Sequence, residues 1–198
     1  MYKEEKLKYG YASLEPYIDT HTIGLHHERH YLSYLKKLNI LLEKNKFSFS
    51  IPKEELVYHM DEFPKEDRED ILFNLGGVIN HEIYFSILSG DKKNKPTLKL
   101  QKMIETYFTS YENFKELFKK EALSIKGSGY TYLVLDQEGK LKIISLKNQE
   151  LPFSYNLYPV IVLDMWEHAY YLNNQNRKED YIDSFFTILN FEEIEKRI

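Results

Sequence analysis

Asp164-Met165-Trp166-Glu167-His168-Ala169-Tyr170-Tyr171 follows directly on the apolar run Val160-Ile161-Val162-Leu163. That run is short, largely β-branched and preceded by Pro159, which marks a buried strand rather than a helix. A carboxylate at the end of such a strand, with an imidazole four residues on, sets two metal-capable groups at the lip of the core. Asp164 also has an ordinary reading, as the cap of a following helix.

Upstream, residues 130–135 and 141–146 are rich in Tyr, Val, Ile and Thr, and Asp136-Gln137-Glu138-Gly139 between them is a hairpin signal with its glycine late in the loop. The earlier chain has helical periodicity instead. Residues 22–43 read as a helix with Thr22 as N-cap and Ile23, His26, His30, Tyr34 and Leu38 at spacings of three or four. After breaks at 44–52 and Pro64, residues 65–89 form a second helix with Leu72, Leu75, Ile79 and Ile83 on one side. The polar loop 89–96 separates two lobes. Helices follow at 97–109 and 110–124, with a terminal one at 178–189. The fold class is α+β: an N-terminal long helical hairpin (1–90), then a C-terminal lobe (91–198) of helices around a small three-stranded antiparallel sheet.

Composition narrows the chemistry. The 198 residues are 42% hydrophobic and 29% charged, which is globular and sufficient for a sizeable core. There is no cysteine, so disulfides, thiolate metal sites, iron–sulfur clusters and cysteine nucleophiles are excluded, and any metal is held by nitrogen and oxygen. Seventeen tyrosines require hydrogen-bond partners or solvent for their hydroxyls, so the interior should be amphipathic. A net charge of −4 with interspersed signs speaks against a nucleic-acid surface. The first residues lack a signal-like apolar region and no run approaches a membrane span, so the expectation is a cytoplasmic protein with no membrane partner.

Seven histidines stand at 21, 26, 27, 30, 59, 81 and 168. His26, His30 and Tyr34 fall at intervals of four on one helix face, and His81 lies deep in the second long helix. On spacing alone each has an ordinary alternative as a core histidine or a packing tyrosine. The zinc-protease pattern fails at both candidates, because Tyr31 and Phe85 stand where the second histidine is required. No Gly-x-Ser-x-Gly elbow or phosphate-binding loop is present; Gly76-Gly77 lacks the lysine and the spacing.

The run 164–171 resembles the signature Asp-x-Trp-Glu-His-Ala-Tyr-Tyr of iron/manganese superoxide dismutases. Leu14-Glu15-Pro16-Tyr17-Ile18-Asp19, the run His26-His27-Glu28-Arg29-His30 with Tyr34, and Asn74 to His81 are similar to the family's opening and second-ligand segments. Gly127-Ser128-Gly129, Asn148-Gln149 and Gln175-Asn176-Arg177 fall in family order, so the likeness runs from about residue 7 to 181.

The resemblance implies disproportionation of superoxide to dioxygen and peroxide at a metal cycling between +2 and +3. The implied ligands are His26, His81, Asp164 and His168, with solvent in a fifth position. It implies one manganese ion per subunit, with iron as the alternative, because the solvent-binding glutamine is Gln149 and the iron-type position is Gly77. Tyr34 and His30 match the gate and proton-delivery pair. Trp166, Glu167, Tyr171 and Arg177 match residues beside the ligands, at a two-fold interface or at the entrance, with Arg29 a weaker match for the last. A homodimer follows, Glu167 reaching the partner's ligand histidine. Phe85, Tyr130 and Tyr132 depart from the family's tryptophans. A catalytically silent structural protein with the same fold is the competing reading, and a zinc hydrolase or simple metal-binding protein is a third; the complete ligand set and the failed hydrolase motifs oppose them.

Overall fold

Asp19, not Thr22, starts the first long helix: its carboxylate accepts the Thr22 N–H at 2.8 Å and the Thr22 hydroxyl at 2.8 Å, so Thr22 binds the cap instead of being it. The computed structural model describes residues 1–91 and 95–198. Of the loop expected at 89–96, Lys92, Lys93 and Asn94 therefore lie outside the described residues.

The first helix is one rod with a slip in it. It runs as α1 (Thr20–Leu25), a π-helical stretch (His26–Tyr31) and α2 (Leu32–Lys44). In the π stretch the Leu32 N–H bonds the His27 carbonyl, five residues back. The uniform spacing of four expected for His26, His30 and Tyr34 is thus replaced by a wider turn at the first two. The antiparallel partner is α3 (Lys65–Ser86). Of the stripe expected on α3, Leu75, Ile79 and Ile83 are buried and Leu72 is only half-buried; Ile71 and Val78 widen the buried face instead. At the hairpin's closed end Lys44 and Asn45 both reach the Asp67 carboxylate, at 2.7–2.9 Å.

The second part begins with α4 (Leu98–Phe108) and α5 (Tyr111–Leu123), capped by Thr97 and Ser110. Three antiparallel strands follow: β1 (Gly129–Leu135), β2 (Leu141–Lys147) and β3 (Tyr158–Asp164), in the order β2-β1-β3. In the β1–β2 turn, Asp136 Oδ1 accepts the N–H groups of Glu138 and Lys140, each at 2.9 Å, and Gly139 takes the positive φ of 75°. The register between β1 and β3 shifts at Leu133/Val134, opposite Pro159, which has no N–H to donate; an edge strand tolerates that. α6 (Tyr171–Asn174), α7 (Lys178–Thr187) and α8 (Phe191–Glu195) close the chain.

The two parts are joined by backbone pairing. Ser89 N–H bonds the Ile188 carbonyl at 2.8 Å and Asn190 N–H the Ile87 carbonyl at 2.7 Å, so the end of α3 is paired with the chain after α7. Six tyrosines are fully buried, and several have hydroxyl partners as the composition required: Tyr84 with Tyr181, Tyr181 with the Asp164 carbonyl, Tyr31 with Glu82, Tyr132 with Asn80. No helix among the described residues is long and apolar enough to cross a membrane.

Candidate metal centre

Both parts of the chain contribute to one cluster. His26 comes from the π stretch and His81 from the middle of α3; Asp164 is the last residue of β3, and His168 lies in the single turn after it. The strand ends there because the Trp166 N–H turns back onto Asp164 Oδ1 at 2.7 Å. That bond occupies one carboxylate oxygen and aims the other inward. Asp164 Oδ2 lies 3.2 Å from His26 Nε2, 3.4 Å from His168 Nε2 and 3.9 Å from His81 Nε2. One donor atom from each of the four residues falls within 4.8 Å of all the others. His26, His81 and Asp164 are fully buried.

The donor atoms are left over for a cation. His81 Nδ1 lies 2.6 Å from the Gly77 carbonyl, which can only accept, so the ring proton sits on Nδ1 and Nε2 keeps a free lone pair. His81 Nε2 and His168 Nε2 are buried without a hydrogen-bond partner. Donors ~2.1 Å from a common ion stand roughly 3–3.6 Å apart; Asp164 Oδ2 keeps such distances from His26 and His168, and the wider separations within the cluster require the donors to draw in on the ion. The set is three neutral nitrogens and one anionic oxygen, suited to manganese or iron as a divalent or trivalent ion, or to divalent zinc. Asp164 is ionised: burial acts to raise its carboxyl, but His168 and His26 outweigh that and hold it well below the usual carboxylate range.

Around the cluster, Gln149 is buried and donates its side-chain N–H to the Tyr34 hydroxyl at 3.1 Å. The mid-helix pair Gly76-Gly77 makes room for both. A Cβ at Gly77 would stand 2.4 Å from the Tyr34 ring, and one at Gly76 would stand 1.8 Å from the Gln149 carbonyl oxygen. The sequence did carry that signal, two poor helix formers side by side inside a helical pattern. His30 stacks on His168 with ring centroids 3.9 Å apart. Trp166 lies beside His168 and anchors its indole N–H on the Asn148 carbonyl at 3.1 Å. Phe85, Tyr130 and Tyr132 are buried; Phe85 packs edge-on to His26, and the Tyr130 hydroxyl is 3.5 Å from His81 Nδ1.

Sequence reasoning did not anticipate the support beneath Asp164. Tyr181 donates to its backbone carbonyl at 2.9 Å and is itself 3.2 Å from the Tyr84 hydroxyl. Other expected residues stay outside the cluster. Glu167 and Tyr171 are exposed on the single chain. Arg177 is bonded to Asp180, Gln175 and Asn173, and Arg29 is exposed.

Residues 1–89 match the model of the iron/manganese superoxide dismutase alpha-hairpin domain, and residues 96–197 that of the same enzymes' C-terminal domain. The chain belongs to the iron/manganese superoxide dismutase family. A manganese superoxide dismutase of Listeria innocua is 41% identical over 196 residues, covering 99% of this chain and 96% of that protein. Those of Listeria ivanovii and Listeria monocytogenes are 41% and 40% identical over the same length. As a dismutase of this family the chain is an oxidoreductase acting on superoxide, and its metal is manganese or iron.

Histidines buried as deeply as those of this cluster make the metal-free protein acid-sensitive. Burial pushes His26 from 6.5 down to about 4, against the opposing hydrogen bond from Asp164. An unfolded chain then takes up its proton first as pH falls, so stability rises with pH between these two values. His26 alone should remove on the order of 3 kcal/mol from the metal-free fold as pH falls from ~6.5 to ~4. Urea midpoints of metal-free protein at pH 7 and pH 4.5 measure this, and equal midpoints would contradict it.

Proposed function

We propose that His26, His81, Asp164 and His168 hold one redox ion per chain, manganese in preference to iron, and that superoxide is disproportionated there. The observation that carries the ligand assignment is the meeting of three imidazole Nε2 atoms with Asp164 Oδ2 in a buried pocket. When bound, the metal supplies the one-electron exchange, alternating between +2 and +3. Zinc would suit the same donors but has no second oxidation state to offer.

The preference for manganese rests on the relatives' names and on where the glutamine comes from. Gln149 is the buried amide beside Tyr34, while the iron-type position, Gly77, faces the Tyr34 ring at a distance that excludes a side chain unless Tyr34 moves. Elemental analysis of protein purified from its native host tests this; manganese is expected, and a site filled with iron under manganese-replete growth would overturn the preference.

The remaining residues handle protons and entry. Gln149 donates to the Tyr34 oxygen, which leaves the phenol's own hydrogen free to be given to an oxygen species beyond it. Burial pushes the Tyr34 phenol up, partly offset by the Gln149 bond, so it stays protonated at neutral pH and yields its proton only to a strong base such as newly formed peroxide. His30, pushed down to about 4 by burial and then by His168, is neutral where it stacks on His168. Tyr34→Phe should leave metal content unchanged and lower turnover, by up to ~10²-fold, the low end of general-acid contributions. Unchanged turnover in pulse radiolysis, or lost metal, would overturn the role.

A homodimer suits the exposed side of the site. Glu167 lies next to the ligand His168, and Tyr171 and Leu172 present apolar surface, 48% and 53% exposed, on the same short stretch. A two-fold partner would cover them and make each contact twice. The division at 90/91 follows the hairpin on one side and the sheet-bearing lobe on the other.

A further inference from the structure

On the side of α3 turned toward the chain's two end segments lies a cavity of about 760 Å³. Its walls come from residues 1–8, the turn at 52–54, α3, Tyr158 and the segment ending in Arg197. Its volume is within the range of small-molecule sites. None of the four clustered metal-site residues lines it.

Its charge is unlike that of the whole chain. Lys3, Lys6, Lys8, Lys53, Lys196 and Arg197 face Glu5, Glu54, Glu82 and Glu193, an excess of two positive charges on a protein of net charge −4. Much of the negative charge is already engaged. Glu82 holds Lys53 at 2.6 Å and accepts from Tyr31, and Glu193 holds Lys196 at 2.7 Å and Lys8 at 3.1 Å. Arg197 has no carboxylate within 4.0 Å among the described residues. Its one side-chain hydrogen bond there runs from Nη2 to Ser86 Oγ at 3.2 Å. The guanidinium is half-buried, and burial lowers its pKa from the ordinary value, with Tyr158, Glu54 and Glu193 only partly opposing.

A half-buried guanidinium with one hydrogen bond inside the protein leaves most of its five N–H groups accessible to solvent or to a ligand in the cavity. Its planar fork fits two oxygens of one anion, and Lys3 and Lys6 on the facing segment add charge without adding a fixed geometry. We propose that this cavity binds a phosphate-bearing small molecule, its phosphoryl oxygens on Arg197 and its charge balanced by Lys3 and Lys6. A dianion offsets more of this cationic excess than a monocarboxylate does. The aromatic and aliphatic wall formed by Tyr158, Phe85, Ile79 and Ile83 faces the organic remainder.

The test uses metal-loaded full-length protein and two probes, inorganic phosphate and acetate, by isothermal titration at low ionic strength. Saturable phosphate binding, at least ~tenfold tighter than acetate, is expected for the wild type. Arg197→Ala should weaken it ~tenfold or more, and Arg197→Lys should recover only part, because a lysine keeps the charge and loses the fork. Lys36→Ala, elsewhere on the surface, should bind as the wild type does, and dismutase activity should be the same in all four proteins. No saturable phosphate binding by the wild type, or equal binding by Arg197→Ala, overturns the site. So does acetate binding as tightly as phosphate. If Arg197→Ala proves unfolded by circular dichroism, Lys6→Ala decides in its place, with weakened binding expected and equal binding contradictory.

Discussion

His81→Ala should lose nearly all of its metal after dialysis against a chelator, a fall in affinity of more than ~100-fold, while the chain stays folded. The imidazole is fully buried, its proton is committed to the Gly77 carbonyl, and its Nε2 has no other partner. Changes to groups that merely orient a ligand cost ~10–100-fold in affinity, so removal of the donor itself should exceed that. The remaining trio would be His26, His168 and Asp164, with the carboxylate still ionised but the coordination open on the α3 side. Some stability is lost as well, because the deletion leaves a void. Elemental analysis beside far-ultraviolet circular dichroism separates the two effects. Equal metal in wild type and variant would show that the ion, if any, sits elsewhere.

Gly76→Ala carries the second large effect, through packing instead of ligation. In an exposed helix this change stabilises by up to about 1 kcal/mol. Here the new Cβ would stand 1.8 Å from the Gln149 carbonyl oxygen and 2.9 Å from its carbon, both backbone atoms that no rotamer change can move. The helix and the 148–150 turn must separate, at a net cost of at least ~2 kcal/mol. For a chain of this length that lowers Tm by roughly 4–8 °C. Because the displaced residue is the one that donates to Tyr34, turnover should fall with stability. Gly77→Ala meets the Tyr34 ring instead, a side chain able to give way, so it should cost less stability and act mainly on turnover. A Gly76→Ala protein as stable as the wild type would mean that the close approach of Gln149 to α3 is not real.

These two substitutions mark what the sequence could and could not reveal. The strand ending in Asp164, the hairpin turn with Gly139, and the helices at 98–108 and 111–123 were legible because local chemistry decides them: an apolar β-branched run, an aspartate that closes its own turn, hydroxyl caps. The four residues that meet were legible only through the family signature, since His26 and His81 lie 55 positions apart and no periodicity brings them together. The π slip at 26–31 was hidden, because it is a choice among backbone hydrogen bonds that His-His-Glu-Arg-His-Tyr does not encode in its apolar spacing. Thr22 reads as the cap because both Asp19 and Thr22 are capping types; which carboxylate or hydroxyl accepts which N–H is settled only by the entry angle of the chain. The role of Gly76-Gly77 was half visible: two glycines in a helix announce a close approach but not by whom.

Superoxide disproportionation by the folded chain reconstituted separately with manganese and with iron, and followed alongside metal content, tests the central claim most directly. Activity that scales with bound metal in at least one of the two preparations is the expected result. A folded protein that fills its site with each metal and yet disproportionates superoxide no faster than its metal-free form would contradict it.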